Sequence, residues 1–373
     1  MKTNHCFKLR NLLKTTSATI AVLFFAMGSV NCSGQPGAID LKSSAELPSN
    51  VSSGIPGTPG QIVRMSKTVV VTAPSQKVDI LIVDDNSGSM NYKQKNMSNR
   101  FSSLLSKISN LDWQLGIVTT DVTQDAPLKD GRLIEMSGLP GQFVLTSKMD
   151  PMVLQNTFSQ TIQRPETGSG DERGISAVRR ALERSLSGAN GVNQANAQLF
   201  RSDAALAVIT VSDDDEFQRR PGEQNANAGT LNPDEFLTFM KNSFPNKNII
   251  WHSVIVKKDD ASCLTKTGFG NEAYGLWYQD LSEKTGGIIG SVCEDDYGAQ
   301  LEAMGGATST LASSIQLECA PTDVSGNGPP KIDVRIRESG QIVRSFIVKG
   351  KTLDFSGNLP IGTVDVNYFC AKP

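Results

Sequence analysis

Histidine is almost absent from this chain: among 373 residues, only His5 and His252 occur. His5 lies in a basic N-terminal segment that we expect to be removed, which leaves His252 as the single histidine of the mature chain. Chemistry that needs several histidines, whether catalytic or metal-binding, is therefore excluded. Because His252 stands in the apolar run Trp251-His-Ser-Val, a core or edge histidine is a simpler interpretation than a catalytic base.

An excess of basic residues is also missing. The chain has 36 Lys and Arg against 38 Asp and Glu, and its first 31 residues contain four of the basic residues and no acidic one. Without that segment the net charge is −6. A mildly acidic protein is a poor candidate for binding nucleic acid. With 38% hydrophobic and 20% charged residues, the composition is that of a soluble globular protein.

The apolar run near the N-terminus, Ala18 to Met27, is too short to cross a membrane. It follows a basic segment, and its length is typical of a signal peptide. Cys32 comes next, with the small residue Ser29 three positions before it, which resembles a bacterial lipoprotein signal. We therefore expect residues 1–31 to be a signal peptide and Cys32 to carry lipid. Ordinary cleavage after Gly28 is the alternative.

Residues 32–66 are rich in serine, glycine and proline and show no periodic pattern. Such a segment buries little apolar surface, so we expect a flexible tether behind the lipidated cysteine. Together with the signal segment, this predicts an exported protein of the bacterial cell envelope. Ser33, directly after the cysteine, favours the outer membrane, and the sequence leaves open which face of that membrane the protein occupies.

Six cysteines are present. Cys6 leaves with the leader, and Cys32 is assigned to lipid. An even number of remaining cysteines in an exported protein favours two disulfides. Three pairings are possible, and the order along the chain favours Cys263–Cys293 and Cys319–Cys370. Zinc binding is not expected, because no Cys-x-x-Cys spacing occurs.

Strands and helices alternate between residues 67 and 318. Uninterrupted apolar runs predict buried strands at 78–83, 113–119, 204–211 and 248–256. Amphipathic stretches predict helices at 93–108, 174–186 and 233–244. This alternation is typical of α/β proteins, and we predict one doubly wound, mostly parallel sheet over residues 67–318.

After Cys319 the pattern changes to strict alternation of apolar and polar residues. Ile332, Val334 and Ile336 would share one face of a strand, and Ser339-Gly340 is typical of a hairpin turn. We predict that residues 319–373 form a small β-rich unit, for which a stapling disulfide is useful.

Three polar loops lie at positions where they can meet. Asp85-x-Ser87-x-Ser89 and Asp213 each follow a predicted buried strand, and the loop 167–173 precedes a predicted helix. In an open α/β sheet, ligands bind at the carboxyl ends of the strands. Carboxylates and hydroxyls without histidine or cysteine suit a hard divalent cation, Mg²⁺ most naturally and Mn²⁺ or Ca²⁺ as alternatives.

The stretch Ile82-Val-Asp-Asp-Asn-Ser-Gly-Ser-Met90 resembles the metal-ion-dependent adhesion site of von Willebrand factor type A (VWA) domains. Ser212-Asp213-Asp214 stands where that family has Thr-Asp-Gly. The resemblance covers residues 76–318 and is similar to exported bacterial members of the family. It implies a VWA fold in which Asp85, Ser87, Ser89 and Asp213 hold the cation.

The third loop departs from the family pattern. Where the family has Gly-Gly-Thr-x-Thr-Gly, residues 168–174 read Gly-Ser-Gly-Asp-Glu-Arg-Gly. Alignment on Gly174 puts Asp171 in the place of the threonine, with Glu172 beside it. The resemblance therefore implies Asp171 or Glu172 as the third side of the site. A carboxylate there would hold the cation more tightly and leave less positive charge to attract an acidic ligand.

The implied function is binding rather than catalysis. An acidic group of a partner protein or surface ligand would complete the coordination of the cation. A metal-dependent hydrolase acting on phosphoesters is the second hypothesis, and it lacks a nucleophile–histidine pair. A structural envelope protein, in which the metal only stiffens the loop, is the third.

Overall fold

A computed structural model of the chain provides the fold. It describes residues 61–71, 76–122, 128–163, 172–187, 193–216, 231–245, 247–267, 273–325, 329–356 and 359–371. The predictions for Cys32, for the signal segment and for Asp171 fall outside these residues. No helix among the described residues is both long and apolar enough to cross a membrane.

The strands, in chain order, are β1 (Ile62–Val71), β2 (Lys77–Asp84), β3 (Asp112–Thr119), β4 (Leu145–Thr146), β5 (Ala205–Val211), β6 (Ile249–Ile255), β7 (Ile289–Ser291), β8 (Ser314–Gln316), β9 (Pro321–Thr322), β10 (Ile332–Ile336), β11 (Ile347–Lys349), β12 (Thr352–Asp354) and β13 (Gly362–Ala371). The helices are α1 (Asn91–Ile108), α2 (Pro151–Ile162), α3 (Gly174–Leu186), α4 (Gln194–Leu199), α5 (Pro233–Ser243), α6 (Ala261–Thr267), α7 (Leu276–Thr285) and α8 (Gly298–Ala312).

The largest sheet has six strands in the order β4-β3-β2-β5-β6-β7. Strands β2, β3, β5, β6 and β7 run parallel, and the short edge strand β4 pairs antiparallel with β3. All but the first residue of β2 are buried, because apolar helices cover both faces. On one face Ile80 and Ile82 pack with α1, α2 and α8, and on the other Leu81 and Val83 pack with α3, α5 and α7.

Two further sheets are entirely antiparallel. One joins β1, β13 and β10, with β9 also paired to β13, and the other has the order β11-β12-β8. Strand β1 pairs with β13 over ten residues, from Ile62 opposite Ala371 to Val71 opposite Gly362. A third apolar core, which includes Val364, Val366 and Tyr368, lies between these sheets.

The fold class predicted from the sequence is therefore corrected. That prediction placed a doubly wound, mostly parallel sheet beside a small C-terminal β unit, whereas the described residues form three sheets, one mixed and two antiparallel. The main error concerns the first strand, since β1 lies in the same sheet as β13, at the other end of the chain. Because β1 and β13 are so distant in sequence, no local sequence pattern could predict that they pair.

Glycine and cysteine tie neighbouring elements together. A Cβ on Gly305 would lie 2.6 Å from the carbonyl oxygen of Leu104, so this glycine lets α8 approach α1 closely, within a helix that stays continuous. Disulfides join Cys263 to Cys293 and Cys319 to Cys370, with Cα atoms 5.6 and 6.1 Å apart. These are the two pairs that the order of the cysteines favoured.

Candidate functional site

The loop after β2 presents three oxygen-bearing side chains. Asp85 is fully buried, and its Oδ1 accepts a hydrogen bond of 2.8 Å from the backbone N–H of Ser87. Ser87 and Ser89 are half-buried, and their hydroxyl oxygens are 3.0 Å apart. The hydroxyls of both serines therefore lie close together at the carboxyl end of β2.

The end of β5 supplies the second side of the site. Because β2 and β5 are parallel neighbours, with Asp84 opposite Val211, their carboxyl ends meet. Asp213 is buried there, and its Oδ1 accepts a hydrogen bond of 3.0 Å from the Ser89 hydroxyl. Asp85, Ser87, Ser89 and Asp213 are therefore brought together into one cluster, which we call the strand-end cluster.

A lysine that the sequence analysis did not single out enters this cluster. Lys93 lies in the first turn of α1 and is 7% exposed. Its ammonium forms an ion pair with Asp213 Oδ2 and donates to the backbone oxygen of Ser89 at 3.2 Å. Gln94, the next residue, donates to Asp84 Oδ2 at 3.0 Å and to the carbonyl of Asp85 at 3.3 Å. Neither contact leaves a signature in the sequence, since both residues read as ordinary helix formers.

Glu172, just before α3, is the described residue of the third loop that the sequence predicted for the site. It is 1% exposed, it accepts a hydrogen bond from the Thr120 hydroxyl through Oε2, and it bridges to Asp121 through the backbone. Within the described ranges, no donor reaches its Oε1, which is buried. Burial first, then the charges of Asp85, Asp214 and Asp121, hold the pKa of Glu172 well above its usual value.

Negative charge is concentrated at this edge of the sheet. Burial, with the nearby charge of Asp213 as the next cause, raises the pKa of Asp85 to about 6. Asp121, also buried, forms an ion pair of 3.0 Å with Lys129. Carboxylates that are costly to ionise would be stabilised by an added cation.

The oxygen positions suit a small hard cation. An octahedral Mg²⁺ with bonds of 2.0–2.1 Å places adjacent ligand oxygens about 2.9 Å apart. The Ser87–Ser89 and Ser89–Asp213 oxygens are each separated by 3.0 Å. However, no three His, Cys, Asp or Glu side chains in the described part of the chain are arranged to hold a metal by themselves. A cation here would need the serine hydroxyls as ligands.

The acidic residues after β5 accept hydrogen bonds from the starts of two different helices. Asp215 accepts hydrogen bonds from the backbone N–H groups of Leu276 and Trp277, at the start of α7. Glu216 accepts from the N–H groups of Ile175 and Ser176, at the start of α3. These two acids therefore cap helices and anchor the segment that carries Asp213.

His252 takes no part in the cluster. It is fully buried in β6, its Nδ1 accepts a hydrogen bond of 2.9 Å from the N–H of Ile288, and its Nε2 lies 3.2 Å from the Thr308 hydroxyl. Burial lowers its pKa to about 3. It is the core histidine expected from its apolar surroundings.

No protein-family model matches the chain, and no curated protein matches it. Similar solved structures include the pilus adhesin SpaC from Lactobacillus rhamnosus GG in its open conformation, with 12% identity and a TM-score of 0.36 over 84% of this chain and 41% of that one. Proximal thread matrix protein 1 from the mussel byssus has 13% identity and a TM-score of 0.34, over 68% of this chain and 51% of that one.

The adhesive tip pilin GBS104 from Group B Streptococcus agalactiae has 10% identity and a TM-score of 0.31, over 85% of this chain and 83% of that one. The chain thus spans less than half of the first of these structures, SpaC. None of the three is named as an enzyme. With TM-scores below 0.5, they do not define the function of this chain.

These findings correct the VWA assignment made from the sequence. No family model supports it, and the similar structures are pilus adhesins and a thread matrix protein. The residue-level reason lies in the third loop, where the family threonine is missing and the buried Glu172 stands close enough to Asp85 for the two charges to interact. What remains is the chemistry of the strand-end cluster itself.

Proposed function

We propose that this protein is an exported binding protein of the adhesin type, which uses a divalent cation to bind an acidic group on a partner protein or surface. Mg²⁺ is the cation that the donors favour, since carboxylate and hydroxyl oxygens suit hard ions. Asp85, Ser87, Ser89 and Asp213 would hold it, with Glu172 behind them. When bound, the ion supplies positive charge and an open coordination position for a carboxylate.

The observation that carries this proposal is the buried Glu172 beside Asp85. Buried carboxylates are normally paired or bound to a metal, yet Glu172 Oε1 has no donor within the described ranges. Lys93 and Lys129 pair with Asp213 and Asp121, not with Asp85 or Glu172. A divalent cation near Asp85 would favour the ionised form of both carboxylates, which burial and their mutual repulsion disfavour.

The chain's own residues would prepare the site before the cation arrives. Ser212 donates to Asp85 Oδ2 at 2.6 Å and Ser87 N–H donates to its Oδ1 at 2.8 Å, which holds the carboxylate in one orientation. Ser89 is held by Asp213 in the same way. Prepositioned ligands reduce the ordering cost of cation binding.

Hydrolysis is the less favoured function, because no nucleophile with a nearby histidine is present among the described residues of the cluster.

The test is calorimetric titration of the purified chain with MgCl₂ after treatment with chelator. Native protein is expected to bind one Mg²⁺, and Asp85→Asn to lose the binding. Asp333→Asn, which removes the same charge from the half-buried β10 position of another sheet, is the matched control and is expected to bind like native protein. Absence of Mg²⁺ binding by folded native protein would overturn the metal-dependent function.

The adhesive part has its own experiment. Native protein is incubated with intact bacterial and host cell surfaces in Mg²⁺ and eluted with chelator, beside Asp85→Asn and Asp333→Asn. Chelator-sensitive retention of native protein and Asp333→Asn alone supports the proposal, whereas equal retention of all three excludes cation-dependent adhesion.

Lipid attachment at Cys32 is the proposed anchor, supported by the sequence that precedes it. In cells fed a labelled fatty acid, native protein is expected to carry label and to sediment with membranes. Cys32→Ser is expected to lose both properties, and Cys6→Ser to keep them. Unlabelled native protein in the culture medium would favour plain secretion.

A further inference from the structure

The ammonium of Lys93 lies inside the strand-end cluster. It pairs with Asp213 Oδ2 and touches the carbonyl of Ser89. The side chains of this pair are 9% and 2% exposed, so both charges are removed from water. Each is therefore held in place by the other.

The position of Lys93 on its helix is unusual for a cation. The first turn of an α-helix carries partial positive charge, which favours acidic side chains and disfavours basic ones. Lysine is also rarely buried unless it is paired. Since neither the helix nor burial favours a lysine here, its pairing with Asp213 has to account for its presence.

Asp213 also belongs to the proposed cation ligands. One of its oxygens accepts from Ser89 and the other from Lys93, so both are engaged. A divalent cation approaching this aspartate would meet a fixed ammonium charge of the same sign at hydrogen-bonding distance from the same carboxylate. Repulsion between close, poorly hydrated charges is strong.

We propose that Lys93 is a resident counter-ion that competes with the divalent cation for Asp213 and thereby keeps the cation affinity of the site low. This inference rests on the proposed function of the same cluster. The long, flexible stem of lysine allows the ammonium to leave toward the exposed start of α1, where Asn91 and Tyr92 face solvent. The site would then alternate between an internal ion pair and a bound cation.

Lys93→Met tests this, because methionine keeps the apolar stem and removes the charge. Titration with MgCl₂ is expected to show affinity at least about tenfold higher than native, because a nearby like charge is removed. Lys95→Met makes the same change in charge at an exposed position of the same helix and is expected to stay within about twofold of native, because exposed charges are screened. Lys93→Arg keeps the charge and should retain low affinity.

Thermal melting keeps the inference testable even if Lys93→Met folds poorly. Without Mg²⁺, Lys93→Met leaves Asp213 buried and unpaired, so its melting temperature should fall below native. Adding Mg²⁺ should raise the melting temperature of Lys93→Met by more than that of native protein. If Lys93→Met stays unfolded at every Mg²⁺ concentration, the inference is overturned, because a competing cation would have replaced the ammonium.

The outcomes separate this inference from the function on which it rests. Equal Mg²⁺ affinity of native protein and Lys93→Met would overturn the competition and leave the cation site intact. Mg²⁺ binding by Lys93→Met but not by native protein would support the competition. It would also overturn the metal-dependent function of the native protein. If neither folded protein binds Mg²⁺, both proposals fail.

Discussion

The hydroxyl of Ser212 donates a hydrogen bond of 2.6 Å to Asp85 Oδ2 and so connects the ends of the neighbouring strands β5 and β2. The same hydroxyl accepts from the backbone N–H of Asp214 at 3.0 Å. One serine therefore orients the buried carboxylate of the cluster and shapes the turn that carries Asp213. Its loss affects both.

Ser212→Ala is expected to raise the pKa of Asp85 further above 6, because this hydrogen bond favours the ionised carboxylate. It should also lower the free energy of unfolding by about 1–3 kcal/mol, since a buried acceptor loses its donor. Mg²⁺ affinity measured by titration at neutral pH should fall with it. Ser212→Thr keeps the hydroxyl and should behave like native protein, whereas equal losses in both variants would show that only packing matters.

Stability of the cation-free protein is expected to decrease as pH rises from about 4.5 to about 8. Burial raises the pKa of Glu216 to about 8 and that of Asp215 to about 6. A raised folded-state pKa means that the folded protein binds more protons than the unfolded chain within this interval, so deprotonation favours unfolding. Thermal melting across this pH range in chelator measures it.

The matched variant for that pH dependence is Glu216→Gln. It should reduce the pH dependence of the melting temperature above pH 6, because one of the buried carboxyl groups with a raised pKa is gone. Glu235→Gln, which removes a carboxylate from the exposed start of α5, should leave the slope unchanged. A native stability that rises with pH over this interval would contradict the raised pKa of Glu216.

Asp79 in β2 is the centre of a buried ion-pair network. It is fully buried and accepts hydrogen bonds from the backbone N–H and the Nε of Arg201, at 2.8 and 2.7 Å, while Lys247 lies 3.5 Å away. Asp79→Ala removes the buried carboxylate shared by Arg201 and Lys247, of which Arg201 keeps its ion pair of 3.0 Å with Asp112, and should lower the free energy of unfolding by about 3–5 kcal/mol. Denaturant titration measures this change.

Asp203→Ala is the comparison for Asp79, because it breaks an ion pair with Lys77 whose side chains are 26% and 36% exposed. The expected loss there is below about 1 kcal/mol. Similar losses at the two positions would refute the view that burial makes the network of Asp79 important.

Two glycines should respond differently to alanine. Gly131 has φ +70°, and a Cβ there would lie 2.4 Å from the backbone nitrogen of Ala181. Gly131→Ala should therefore destabilise the fold by more than about 1 kcal/mol, through strain and displacement of α3. At Gly88, between the two serines of the cluster, an added Cβ meets nothing within 4 Å, so Gly88→Ala should retain both stability and Mg²⁺ affinity.

Sequence patterns located the buried strands and their ends well. Runs such as 78–83 and 204–211 are apolar without interruption because both faces of those strands are covered. Each strand must have apolar residues on both faces, so its own sequence is enough to predict it. The polar residues that follow them, Asp85 and Asp213, were therefore correctly expected to meet. The even number of cysteines and their order also led to the two disulfides.

Local sequence patterns predicted the structure less well where the chain is polar or where the contacting residues are distant in sequence. The amphipathic stretches predict no helix between residues 108 and 174, whereas α2 spans Pro151–Ile162, capped by Asp150. The residues at 131–136 and 143–146 favour a small hairpin, but of its two strands only Leu145–Thr146 forms. Backbone hydrogen bonds from Ile134 to Ile117 and from Met136 to Gln142 replace that hairpin.

Taken by itself, the sequence determined which residues place carboxylate and hydroxyl oxygens on one short loop, because the alternation of Asp85, Ser87 and Ser89 is visible in the chain. Only the tertiary structure decided what surrounds them. Lys93 on α1 pairs with Asp213, Ser212 after β5 donates to Asp85, and β1 pairs with β13 from the opposite end of the chain. Such contacts depend on how helices and strands pack in space, a property that no local periodicity encodes.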